Sequence, residues 1–107
     1  MSKVIDISAK LTNERPKLKL AEDKVFEIDD RKNTIIAVDQ KIKNTEMNLE
    51  VMDEIIKITL GEEAAKEIDV MGLSFSAYQS IFVAIMAAVM GEDYEVAEAR
   101  FRKEANL

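Results

Sequence analysis

The chain has 107 residues, a formal net charge of −6 at pH 7 and 48% hydrophobic residues. This length suits one domain with a modest core, and a composition with only three Gly and one Pro is typical of a folded, helix-rich protein. The chain contains no Cys and no His, which excludes disulfides, thiolate chemistry and the commonest metal ligand and general base. Its lysines are scattered and form no basic stripe, so we expect no nucleic-acid partner.

The N-terminal residues MSKVIDISAK lack the apolar region of a signal peptide, so we expect the chain to stay in the cytoplasm. Residues 70–91 contain no charged side chain and are the one candidate membrane span. Their unbroken apolar part, residues 81–90, is shorter than the about 20 residues that cross a bilayer, and no cationic cluster flanks it. We therefore expect a buried helix and no membrane partner.

We expect a single domain over residues 1–107, with an N-terminal arm or strand at 1–16, a β-hairpin at 17–28 and a helical body at 29–107. The hairpin is indicated by alternating apolar and charged residues on either side of a polar AEDK loop. Because a lone hairpin is marginal in water, its apolar face should pack on a helix or pair with another subunit. Residues 4–7 are a candidate third strand. The predicted apolar face consists of Leu18, Leu20, Phe26 and Ile28, and the charged face includes Lys17, Lys19 and Glu27.

A long helical pattern begins after Asp29 or Asp30, both suitable N-cap residues, and continues to Leu60. Asn44-Thr45 is its weakest point for helix propensity and the place where it would divide. When the pattern is divided into heptads, its apolar residues form a seam that predicts a helix-packing or oligomer face. That face consists of Ile35, Ile42, Leu49 and Ile56, with Val38, Thr45, Met52 and Thr59 at the intervening seam positions.

Three further helices are predicted, separated by glycines. Gly61 is a plausible left-handed stop before the short helix EEAAKEID, and Gly72 should end that helix. The apolar helix follows over residues 76–90, or starts one step earlier with Ser74 as its cap, and Gly91 closes it. A C-terminal amphipathic helix, EDYEVAEARFRKEA, places Tyr94, Ala97 and Phe101 on one face. The predicted fold class is mainly α with an N-terminal β-hairpin.

Large apolar side chains cover a wide arc of the apolar helix, and its remaining side is lined by small residues. Such a helix should be buried nearly all round, and a chain this short has little material with which to bury it. We therefore expect another chain to supply part of the cover. The predicted partner-binding residues are Tyr78, Phe82, Ile85, Met86, Val89 and Met90, and the small residues Ser80, Ala84 and Ala88 form a helix-packing or oligomer face.

The sequence contains no catalytic signature, so we expect no catalytic, cofactor-binding or metal-binding residue and no enzyme activity. Carboxylates at 46, 50, 53 and 54 share part of one helical surface, but interspersed lysines favour a solvated acidic face over a cation site. Gly61, Gly72 and Gly91 are too far apart to form a phosphate-binding loop.

The order of segments resembles a known family over nearly the whole chain. A short VIDIS start and a lysine-rich hairpin ending KVFEIDDRKNT lead into a long helix ending ITLGEEAAKEID, followed by MGLSFSAYQSIFVAIMAAVMGEDYEVAEARFRK. This order resembles the small tail assembly chaperones of long-tailed phages and prophages of Gram-positive bacteria. The resemblance implies a helical, self-associating and non-catalytic protein that coats the tape measure protein and brings tail-tube subunits to it. Such a protein is shed before the particle is complete and is absent from the mature virion.

The sequence leaves two other hypotheses. One is a structural virion component, such as a small tail or connector protein, which would stay in the particle. The other is a small regulatory dimer of the antitoxin or repressor kind, which the acidic central helix disfavours.

Overall fold

The computed structural model describes residues 3–11, 14–44 and 46–104. It is mainly α-helical with a two-stranded antiparallel hairpin near the N-terminus, as the sequence predicts. The elements in chain order are a 3₁₀ turn at Ser8–Lys10, strands β1 (Lys17–Ala21) and β2 (Lys24–Glu27), and helices α1 (Lys32–Asn44), α2 (Leu49–Leu60), α3 (Glu62–Val70), α4 (Phe75–Met90) and α5 (Tyr94–Glu104).

The predicted hairpin forms and packs on helices of its own chain. Lys17 lies opposite Glu27, and a bulge interrupts the pairing between Lys19 and Ala21. The apolar face lies against α2, α3 and α4, with Leu18 and Ile28 buried. The backbone N–H of Asp29 donates to Thr59 O at 2.9 Å and ties the end of the hairpin to α2. The prediction of a third strand at residues 4–7 is wrong, because that segment pairs with no strand that the structure describes.

The long helical pattern divides where the sequence predicts. α1 ends at Asn44, and Thr45 lies outside the described residues. α2 begins after Asn48, whose side chain accepts a hydrogen bond from Val51 N at 2.9 Å. A Lys41–Glu54 ion pair at 2.7 Å joins the two helices.

The break also divides the predicted apolar seam, which is therefore no continuous oligomer face. Ile56 is buried inside the chain, and Ile42 packs beside the core that α1 and α2 share. Ile35 is half-buried in the first turn of α1. Leu49 opens α2 and is half exposed, so among the seam residues that the structure describes it has the most surface available to a partner.

The boundaries of α4 follow local backbone chemistry. Ser74 is the N-cap and its hydroxyl accepts from Ala77 N at 3.2 Å, so the earlier of the two predicted starts is correct. Gly91 closes the helix in the left-handed conformation, at φ 68° and ψ 32°, as predicted. Gly61 also has a positive φ of 94°, but its ψ of 160° lies outside the left-handed helical region, so that prediction is wrong in detail.

α4 lies at the centre of the molecule, between two large clusters of buried side chains. One cluster joins the hairpin, α2, α3 and α4, and the other joins α1, α2 and α4, with Phe101 of α5 packed beside it. The first consists of Leu18, Ile28, Ile56, Ala65, Ile68, Ile81 and Ile85. The second consists of Val38, Val51, Met52, Ile55 and Phe82.

α5 covers the remaining side of α4. Val83 and Ala87 pack on Ala97 of α5, and the rings of Phe82 and Phe101 lie 5.8 Å apart at an angle of 56°. This tilted geometry is one that aromatic pairs prefer. The chain bends by 115° between α4 and α5. Within the described residues, no single helix is long and apolar enough to cross a bilayer, and these two meet the length and composition only as a bent pair.

We expect Phe82→Ala to lower the free energy of unfolding by about 3 to 5 kcal/mol, because the mutation leaves a cavity where α1, α2 and α5 meet. Met90→Ala is the control. Its side chain lies mostly in solvent, so the loss should stay within about 0.5 kcal/mol. Urea unfolding followed by circular dichroism measures both, and similar losses in the two variants would contradict this packing.

Candidate interaction surface

The structure divides the predicted partner-binding face of α4. Phe82 and Ile85 are 1% and 0% exposed within a single chain, so they are core residues and the prediction that they meet a partner is corrected. The reason is that the hairpin, α2 and α5 together cover more of α4 than the short length of the chain suggested. Tyr78, Met86 and Val89 are half-buried, and Met90 is 56% exposed.

The small-residue side of α4 does not form one smooth face. Ala84 and Ala88 are half-buried and pack inside the chain, against the cluster that includes Ile85. Ser80 is exposed, and its hydroxyl donates to Ser76 O at 3.2 Å. The close approach of another helix occurs beside this side, where Ala87 meets Ala97. An intrachain packing role therefore fits Ala84 and Ala88, and Ser80 remains a surface residue.

A first apolar cleft opens where α1, α4 and α5 meet, and we call it the methionine groove. Its volume is about 70 Å³. Met47, on the segment between α1 and α2, is exposed, and Met86 is half-buried. Met90 follows Met86 by one helical turn, so the two side chains project on the same side of α4. The groove is lined by Ile42, Met47, Phe82, Val83, Met86, Ala97, Arg100 and Phe101.

A second cleft, which we call the corner groove, opens at the turn between α3 and α4. Its volume is about 290 Å³. Phe75 and Leu49 are 55% and 50% exposed and line the same cleft, so their apolar surfaces lie close together. Leu73 precedes the Ser74 cap. The groove is lined by Leu49, Asp53, Asp69, Leu73, Phe75 and Tyr78.

Two carboxylates give the corner groove a negative potential. The Tyr78 hydroxyl donates a hydrogen bond to Asp53 Oδ1, and no side-chain pairing of Asp69 occurs within the described residues. Burial raises the pKa of Tyr78 above its usual value, and the hydrogen bond to Asp53 and the charges of Asp53 and Asp69 raise it further. The phenol therefore stays neutral, and a cationic side chain would be favoured beside the two carboxylates.

The N-terminal arm, residues 3–11, is a third unpartnered apolar feature. All nine residues are exposed, and among them Val4 and Ile5 are 86% and 77% exposed. Asp6 accepts hydrogen bonds from the backbone N–H and the hydroxyl of Ser8, which fix a local turn and lower the pKa of that carboxyl. The radius of gyration is 15.8 Å, above the about 13 Å typical of a compact domain of about 100 residues.

Sequence reasoning missed the corner groove. Leu73 lies just before the N-cap of α4, and Phe75 is the first residue of the helix. A helical projection of residues 76–90 therefore omits both side chains. The sequence does indicate a hydrophobic staple between Leu73 and Tyr78 on either side of an N-cap at Ser74, but a staple alone does not show which side chains of α2 and α3 complete a groove. Both Leu73 and Tyr78 line the groove.

Among residues 3–11, 14–44 and 46–104, no group of three or more acidic, His or Cys side chains is arranged to hold a metal ion. Comparison with protein-family models, with curated proteins and with solved structures finds no match to this chain.

We expect a pH-dependent contribution of Tyr78 to stability. Because its pKa is higher in the folded state, the stabilisation is fully present below the unfolded-state pKa of about 10 and is lost as the pH rises toward the folded-state value. The difference in unfolding free energy between wild type and Tyr78→Phe should therefore decline between about pH 9 and pH 12. Denaturant titrations across this range measure it, and a difference that does not vary with pH would contradict the prediction.

Proposed function

We propose that this chain is a non-catalytic assembly chaperone or scaffold of phage tails, which associates with itself and holds a helical client. By resemblance, the client is the tape measure protein, with tail-tube subunits as a second partner. The observation that carries the proposal is the methionine groove, an apolar cleft with methionines at its rim in a chain that is otherwise strongly charged.

Methionine suits the surface of a chaperone. Its unbranched side chain adapts to different neighbours, and methionine-rich surfaces are common in proteins that bind varied apolar helices. Met47, Met86 and Met90 would contact the apolar stripe of a client helix laid across the groove, which is the helix-in-groove mode of recognition. Of the residues predicted from sequence, Met86 and Met90 keep this role, whereas Phe82 supports the floor of the groove from within the core.

The polar rim of the groove supports reversible binding. Arg100 lines it, and its guanidinium donates to Glu92 at 2.7 Å, so the charge is held in place by its own chain. A client helix with acidic residues beside its apolar stripe would find this cation at the edge of the contact. Rim charges affect the rate of encounter and specificity more than affinity, which suits a protein that must later be released.

The first experiment measures client solubility. The chain is co-expressed with the tape measure protein encoded in the same genome, and the soluble fraction of that protein is quantified. Wild type should keep it soluble, and the double variant Met86→Asp with Met90→Asp should lose most of this effect because charge opposes apolar docking.

Val96→Asp is the matched control, because Val96 is an exposed apolar residue of α5 that lies outside the methionine groove. It should behave as wild type. Thermal unfolding of all three proteins checks that they are folded. The proposal is contradicted if the wild type leaves the tape measure protein insoluble, or if the control loses as much activity as the methionine variant.

A second experiment separates a chaperone from a structural component. Mass spectrometry of purified particles should detect tail-tube protein and none of this chain. Stoichiometric amounts of the chain in finished particles would favour a virion component. A shift of the promoter DNA upstream of its own gene in low-salt electrophoresis would instead favour a regulator.

A further inference from the structure

The corner groove and the N-terminal arm complement each other in chemistry. The groove offers the exposed side chains of Leu49, Leu73 and Phe75 beside two carboxylates. The arm offers exposed apolar side chains together with two lysines. The arm residues concerned are Val4, Ile5, Ile7 and Leu11, with Lys3 and Lys10.

We infer that the corner groove of one chain receives the N-terminal arm of a second copy. This inference deepens the proposed function, from which it takes the premise of self-association, and names the two segments that would produce it. The apolar side chains of the arm would cover Leu73 and Phe75, and Lys3 or Lys10 would lie near Asp53 and Asp69.

Charge decides in favour of this occupant. The arm carries two lysines and one acid, Asp6, whose carboxylate is already engaged by Ser8. Neither Lys3 nor Lys10 has an ion pair with any part of the chain that the structure describes. The groove contains carboxylates and no basic side chain. An acidic or neutral segment would leave those carboxylates without a counter-ion, whereas the arm supplies one.

The exposed arm also indicates that exchange occurs between chains. Each chain has one arm and one groove, and its own arm lies in solvent with all nine residues exposed. A reciprocal exchange would give a closed two-fold dimer, and a one-way exchange would give a head-to-tail row. Either assembly leaves the methionine groove free, because the arm contacts the opposite, N-terminal end of α4.

Cysteine cross-linking tests the contact directly, since the chain has no cysteine of its own. Full-length Ile5→Cys and Leu73→Cys proteins, distinguished by size tags, are mixed and mildly oxidised. The mixed disulfide should form at least about tenfold faster than that of Ile5→Cys with Val96→Cys, a matched exposed control on α5. Equal rates for the two pairs would overturn the inference.

A complementation experiment tests whether the contact drives association. Ile5→Ser with Ile7→Ser, and separately Phe75→Ser, should each weaken self-association by at least about tenfold in sedimentation equilibrium. Both variants should keep the thermal unfolding curve of wild type, because these residues lie outside the buried clusters. A mixture of the two should associate more strongly than either alone, because one intact arm and one intact groove remain in each pair.

The inference is overturned if the wild type sediments as a monomer, if the variants associate like wild type, or if mixing restores nothing. Its failure is distinguishable from that of the proposed function. A wild type that keeps the client soluble but sediments as a monomer would refute arm exchange alone. Arm exchange without client binding would refute the chaperone proposal alone.

Discussion

Burial of α4 is the constraint on which the rest of the fold depends. This helix has no face made of charged side chains, so leaving it in water would expose many apolar groups, each worth about 1.5 to 3 kcal/mol when buried. A single neighbouring helix cannot cover it. The hairpin and α3 therefore pack around Ile85, α1 and α2 pack around Phe82, and α5 covers the side of Ala87. The division of the long helical pattern into α1 and α2 lets both parts lie against α4.

Once α4 is enclosed, the remaining apolar surface lies at the ends of elements. The corner groove is at the N-terminal end of α4, the rim of the methionine groove is near its C-terminal end, and the arm precedes the hairpin. This separation gives a physical basis for two different contacts in one small protein. The proposed contact with a sister chain at one end is compatible with the proposed client contact at the other, because neither contact requires opening the core.

Local signals in the sequence predicted much of the fold. Alternation predicted the hairpin, and capping chemistry indicated Ser74 as one of two starts of α4 and Gly91 as its end. The register of the hairpin, with Lys17 opposite Glu27, comes from the structure. Weak helix propensity at Asn44-Thr45 predicted the break before α2. In each case the signal lies within a few residues of the feature, because caps, turns and strand alternation are set by neighbours in the chain.

The exposed site was harder to predict, because exposure is decided by contacts between distant segments. The pattern of α4 shows that Phe82 and Met90 are both apolar, but only the arrival of α1, α2 and Phe101 of α5 determines that one is buried and the other is not. Leu49 belongs to a regular seam and is nevertheless half exposed at the first position of α2. The corner groove needs α2, α3 and α4 in place before it exists.

Native-state hydrogen exchange as a function of protein concentration tests most directly whether α4 is enclosed by its own chain. In the Phe75→Ser variant, at concentrations where it sediments as a monomer, backbone amides of residues 81–87 should exchange only through global unfolding. Their protection should not change over a 100-fold dilution, which would cost about 2.7 kcal/mol if a second chain were required to cover α4. Amides of the arm should exchange faster than those of α4 at every concentration. Protection of α4 that falls in proportion to dilution would show that a second chain is needed to cover it, and would contradict this structure.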